Sequence, residues 1–181
     1  MRKLVGAVGV MAWSLGLVAL AANAQQDKSK RPSPPAKANC QFSDGKTITV
    51  NYSSPRMRGR KIYGGLVPFN EVWRLGANEA TTFDTTADLT IAGKEIPAGN
   101  YTLFAIPTLN RWTLIISKKT GEWGIPYPGE SFDLARVPMT VSHLPANVES
   151  FTISFTPRDN ACTLQVDWEM TRASVDIQEK K

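Results

Sequence analysis

The sequence predicts an all-β fold: an antiparallel two-sheet β-sandwich with one short helix. Three observations lead there. Apolar and polar residues alternate along several short runs, turn residues separate those runs, and one segment breaks the alternation with a helical spacing.

The alternation is clearest at three places. Ile48, Val50 and Tyr52 alternate with Thr47, Thr49 and Asn51, and Phe151, Ile153 and Phe155 alternate with Thr152, Ser154 and Thr156. Cys162, Leu164, Val166, Trp168 and Met170 alternate with Thr163, Gln165, Asp167 and Glu169. Each run reads as a strand with one face in the core and one in water. Further candidate strands cover 81–85, 88–92, 100–106, 111–117, 136–142 and 173–178. Asp44-Gly45, Gly93-Lys94, Pro97-Ala98-Gly99-Asn100, Lys119-Thr120-Gly121 and Asp159-Asn160 supply turns between them. Many short strands at this spacing predict two packed sheets. The predicted helix is Pro68 to Leu75, opened by Pro68 and stopped by Gly76, with Phe69, Val72 and Trp73 on one face.

The chain divides into three parts. Met1-Arg2-Lys3 precedes a run from Leu4 to Ala22 whose only polar side chain is Ser14, and Ala22-Asn23-Ala24 supplies small residues for cleavage. This is the pattern of a secretory signal peptide over 1–24, cleaved after Ala24. Residues 25–39, rich in Pro, Lys and Ser, read as a flexible leader. Residues 40–181 are long enough to bury one domain's core. The expected location is periplasmic or secreted, with no stable membrane insertion once the signal is removed.

Charge narrows the partners. The chain carries +5. Arg2 and Lys3, together with Lys28, Lys30, Arg31 and Lys37 against Asp27, account for all of it. The domain from Cys40 onward is therefore neutral, and no nucleic-acid partner is expected, because phosphate binding needs a basic excess on the fold itself. The two cysteines, Cys40 and Cys162, stand at opposite ends of the domain without a CxxC partner or a neighbouring His. In an exported protein this pattern predicts a structural disulfide.

Blocks between Tyr52 and Thr82, "YSSPRMRGRKIYGGLVP" and "VWRLGANEATT", together with "IPAGNYTLFAIP" and a later "EWG", carry a family resemblance. The chain from about Cys40 to Trp168 resembles the bacterial secreted domain-of-unknown-function 2911 family. The resemblance implies an exported β-rich protein and assigns no catalytic residue.

Few residues are equipped for catalysis. His143 is the sole histidine, and no serine sits in a GxSxG turn. One histidine and two distant cysteines do not make a zinc site, and no phosphate loop or dinucleotide fingerprint is present, so no metal and no cofactor are expected. Glu79 is the one weak catalytic candidate, with Glu71, Asp84 and Glu122 as conceivable partners for a glycan hydrolase. The plainer account pairs Glu79 with an arginine of 56–60, and Glu71 with Arg74.

The sharper candidate is a ligand site at Arg58, Arg60, Tyr63, Arg74, Asn78 and Glu79. Arginines offer planar forks for a carboxylate or phosphate, and Tyr63 and Trp73 offer apolar walls. Trp112 reads as core, whereas Trp123 in "TGEWGIPYPGE" keeps a carbohydrate option open. The expected function is a non-catalytic module that binds a small anionic or sugar ligand, or an envelope component. The alternatives are a hydrolase using Glu79 with Arg74, and a structural protein–protein module.

Overall fold

The computed structural model describes residues 27–181, so the expected signal peptide lies outside the described residues. Among the described residues nine strands form a single antiparallel sheet. They are β1 Pro35–Gln41, β2 Thr47–Ser53, β3 Thr81–Thr85, β4 Leu89–Ile91, β5 Lys94–Ile96, β6 Gly99–Ile106, β7 Arg111–Ser117, β8 Asp133–Arg158 and β9 Ala161–Glu179. Their order across the sheet is β1-β2-β3-β6-β7-β8-β9-β4-β5. The all-β expectation holds. Hydrogen bonding, however, joins all nine strands into one sheet rather than the two expected.

A bend in the β8–β9 hairpin gives the sheet its second layer. Between the pairs His143↔Thr171 and Thr152↔Asp167, β8 advances nine residues while β9 advances four. The surplus bulges out of the ladder and turns the far half of the hairpin. That half returns over β1 and β2: Cys162 bonds to Cys40, Tyr52 Oη accepts from the Ile153 N–H at 3.1 Å, and β1 packs against β8. Inward parity switches at the same place. Cys162, Leu164, Val166 and Trp168 are buried before the bulge, and Ala173, Val175 and Ile177 after it. Glu169 makes the switch with a left-handed φ of 55°. What looked like separate strands at 136–142 and 151–156 are thus two halves of β8, and 162–170 and 173–178 two halves of β9.

Two further expectations are corrected. Residues 35–39, read as flexible leader, belong to β1 and pair with β2 from Pro35↔Ser53 onward. Their inward residues, Ala36 and Ala38, are too small to have produced a hydrophobic rhythm. The helix over Pro68–Leu75 does not form. Asn70 and Leu75 adopt left-handed φ values of 63° and 51°, and the backbone bonds run to distant residues instead of four residues back. The Asn70 N–H donates to Pro107 at 2.9 Å, and Trp73 exchanges two 2.8 Å bonds with Ala105.

The whole stretch between β2 and β3, residues 54–80, is irregular yet fixed. The bulge in β8 holds its first part. Residues 149–151 turn their backbone groups toward it, with the Met57 N–H donating to Glu149 and the Phe151 N–H to Pro55, at 2.9 and 2.8 Å. An aromatic cluster holds the rest. Trp73 stacks on Trp168 with ring centroids 6.1 Å apart and meets Phe151 edge-on at 5.1 Å. Tyr63 packs edge-on against Trp112 at 5.0 Å. Such pairs add to the large area that each ring buries. Trp168→Ala should therefore cost about 3–5 kcal/mol in urea denaturation. Leu109→Ala, at a residue 74% exposed, should stay within about 0.5 kcal/mol.

Candidate functional site

The irregular stretch 54–80 and the loop between β7 and β8 enclose a cleft of about 350 Å³ against β9. Pro55, Val67, Trp73 and Trp168 wall it, with Leu66 and Ile125 also lining it and both exposed. Arg60 and Arg74 supply its positive charge, and Ser33 lines it from the N-terminal segment. Both indole N–H groups are engaged elsewhere: Trp73 Nε1 donates to the Gly76 carbonyl and Trp168 Nε1 to the Glu149 carbonyl, each at 3.1 Å.

The two arginines are held differently. Arg60 folds back on its own loop, donating from Nε to the Met57 carbonyl at 2.9 Å and from Nη2 to the Arg56 carbonyl at 2.7 Å. A guanidinium has five N–H groups, so this leaves donors for a ligand. Arg74 lies over the Trp123 ring, 5.5 Å from its centroid, and Nη1 donates to the Trp123 carbonyl at 3.3 Å. Burial pushes its pKa down, and the charge of Glu79 partly restores it. Gly124 makes this approach possible: a Cβ there would stand 2.9 Å from Arg74 Cβ, and its φ of +83° is left-handed.

The six expected ligand residues separate into three groups. Arg60 and Arg74 reach the cleft. Asn78 and Glu79 instead pin the N-terminal segment beside it. Asn78 Nδ2 donates to the Ser33 carbonyl at 3.0 Å, while Arg31 Nη1 donates to both Glu79 carboxylate oxygens at 3.0 and 2.9 Å. Lys28 adds a third contact at 3.0 Å. Glu79 thus pairs with cations of the expected leader and not with an arginine of 56–60. Arg58 and Tyr63 lie away from the cleft's lining. Arg58 is a turn residue whose backbone N–H donates to the Glu149 carboxylate at 2.9 Å. Tyr63 is buried in the aromatic cluster with its hydroxyl unpaired, and burial, aided by Glu169 and Asp167, raises its pKa.

Sequence reasoning missed Trp168, Leu66, Ile125 and Ser33. Trp168 carried the signature of a core strand, and Ser33 sat in a segment that looked unstructured. His143 is exposed on β8, and Trp112 is buried as expected, while Trp123 is 53% exposed. No helix among the described residues is long and apolar enough to cross a membrane. The Cys40–Cys162 bond fits an extracellular location.

An all-β chain folded from one sheet around a partly apolar, positively charged cleft is the class this geometry defines. The family model described as "Protein of unknown function (DUF2911)" matches residues 33–177, and the chain belongs to that family. No curated protein and no solved structure matches the chain.

Glu79 is held at a pKa of about 2, against an ordinary 4.5, by its own backbone N–H and then by Lys28 and Arg31. Its carboxyl is therefore an anion at neutral pH and has no proton to give as a general acid. Its folded pKa is depressed, so its contribution to stability is present above about pH 4.5 and is lost as pH falls toward 2. The pair is partly exposed, so the amplitude is small and falls with salt. The stability difference between wild type and Glu79→Gln, from denaturant titrations at each pH, should be flat from pH 5 to 8 and vanish between about 4.5 and 2. A difference unchanged down to pH 2 would contradict the pairing.

Proposed function

We propose that this is an exported, non-catalytic binding module that holds a small anionic ligand in the cleft at Arg60 and Arg74. One observation carries the reading. Two arginines line the same partly apolar cleft, and Glu79, the acid whose charge acts on Arg74, is itself held by Lys28 and Arg31. Guanidinium groups that keep N–H donors free beside apolar walls are the ordinary make-up of an anion site. The length of the stretch 54–80 adds support, since long ordered connections without strands or helices are usually functional. The signal-peptide pattern at 1–24 and the disulfide together support a periplasmic or secreted location.

Against the hydrolase alternative, an ionised Glu79 could serve only as a base, and its carboxylate oxygens are already engaged by Arg31 and Lys28. A protein-docking role has one observation in its favour. Leu66, Trp123 and Ile125 are 45%, 53% and 65% exposed around the cleft, more than isolated surface residues require.

A thermal-shift panel of carboxylates, phosphates and acidic sugars tests the proposal. A ligand at 100 times its dissociation constant stabilises by ~2.7 kcal/mol, a shift of several degrees for a chain of this size. The shift should disappear in Arg74→Gln while that variant remains folded. An unchanged shift in Arg74→Gln, or none with any anion, would refute it.

A further inference from the structure

We infer that the ligand is an amphiphilic anion, a carboxylate or phosphate head on an apolar body, and neither a sugar nor a small hydrophilic anion. This rests on the binding-module reading and goes further by fixing the ligand's class. The lining decides it. Pro55, Leu66, Val67, Trp73, Ile125 and Trp168 make the walls, while among the described residues Ser33 is the one neutral hydroxyl and no carboxylate or carboxamide lines the cleft.

A sugar ring presents hydroxyls that both donate and accept, and sites that hold one need acceptors as well as donors. This cleft offers cationic donors and almost no side-chain acceptors. The indoles cannot act as polar partners either, since their N–H groups are already donated to Gly76 and Glu149. They present carbon surface only. A hydrophilic anion would leave that surface unused, and a neutral lipid would leave the remaining guanidinium N–H groups of Arg60 and half-buried Arg74 without an anionic acceptor. An ion with an apolar body satisfies both.

Size and shape agree. At about 350 Å³ the cleft is at the small end of single-ligand sites, roughly 300–1,000 Å³. Leu66 and Ile125 carry apolar surface from the cleft out to solvent, a path for a chain that extends past the rim. The contrast with another depression is instructive. The one formed by Thr90, Thr140, Ser174, Asp176 and Gln178 has hydroxyls, an amide and a carboxylate, and no aromatic or cationic side chain. That is where sugar-like chemistry would be found on this surface.

Calorimetric titration of the purified protein with sodium butyrate, decanoate, decyl phosphate, decanol and glucuronate tests the inference. Decanoate should bind, with affinity rising along the butyrate-to-decanoate series by roughly fourfold for each methylene that enters the cleft. Decanol should bind at least about tenfold more weakly, the loss expected for a charge-assisted contact. Arg74→Gln should weaken decanoate by a similar factor, and Arg58→Gln should leave it unchanged. Comparing decanoate with decyl phosphate shows which head the arginines prefer. Glucuronate binding as tightly as decanoate, with no dependence on chain length, would overturn the amphiphile class and leave the anion site standing. Decanol binding as tightly as decanoate would overturn the class from the other side. No binding by any of the charged probes would overturn both readings. Should Arg74→Gln unfold, the decanoate-to-decanol ratio in the wild type decides alone.

Discussion

The stack of Trp73 on Trp168 joins the two parts of the chain whose meeting creates the cleft. Trp168 belongs to a regular strand, and Trp73 to a stretch with no repeating hydrogen bonds of its own. Local propensity cannot hold such a stretch, because each ordered residue costs about 1–2 kcal/mol of backbone entropy. Tertiary contacts must offset that cost. They come from the rings of Tyr63, Trp73, Trp112, Phe151 and Trp168, which pack edge-on or stacked within 6.5 Å. The bulge in β8 assists by turning residues 149–151 away from β9 and toward Pro55 and Met57. The disulfide closes the other end by tying the tip region of the hairpin to β1. Loosening the stack would let the hairpin and the basic loop part, and the cleft walls would separate with them.

The same geometry explains what the sequence could reveal. Strands with large inward side chains, such as Ile48-Val50-Tyr52 or Leu164-Val166-Trp168, announce themselves by alternation. β1 does not, because Ala36 and Ala38 are small enough to lie against β8 and leave no rhythm. The inward parity of Cys162 was visible, and its bond to Cys40 follows that parity. Residues Pro68 to Leu75 have a helical spacing, but spacing records only which side chains are apolar. It cannot register that Ala105 captures both backbone groups of Trp73, or that Asn70 and Leu75 take left-handed conformations. The continuity of β8 and β9 through a bulge was invisible for a related reason. A parity switch looks like a gap between two strands.

The candidate site was legible in part. Arg60, Arg74 and Trp73 stood out because cations and aromatics crowd one glycine-rich stretch. Arg58, of the same type and two residues away, has its side chain in solvent. Only the fold separates the two. Asn78 and Glu79 drew notice as neighbours of Arg74, and their work is to fasten the N-terminal segment along the cleft. The charge argument also changes in three dimensions. The domain from Cys40 onward is neutral as a sum, yet Lys28 and Arg31 dock beside Arg74 and spend themselves on Glu79. The net effect is a cation-rich margin to the cleft on a domain whose charges otherwise sum to zero.

The central claim is that the cleft at Arg60, Arg74, Trp73 and Trp168 is where this protein meets its ligand. Site-resolved NMR of residues 25–181 tests it most directly, by following the four tryptophan Nε1–H signals (Trp73, Trp112, Trp123 and Trp168) and the arginine Nε–H signals during titration with decanoate. The account predicts that Trp73, Trp168, Arg60 and Arg74 move together with one affinity while Trp112, buried away from the cleft's lining, moves least. Shifts confined to the Thr90–Asp176 depression, or spread evenly over the surface, would contradict it.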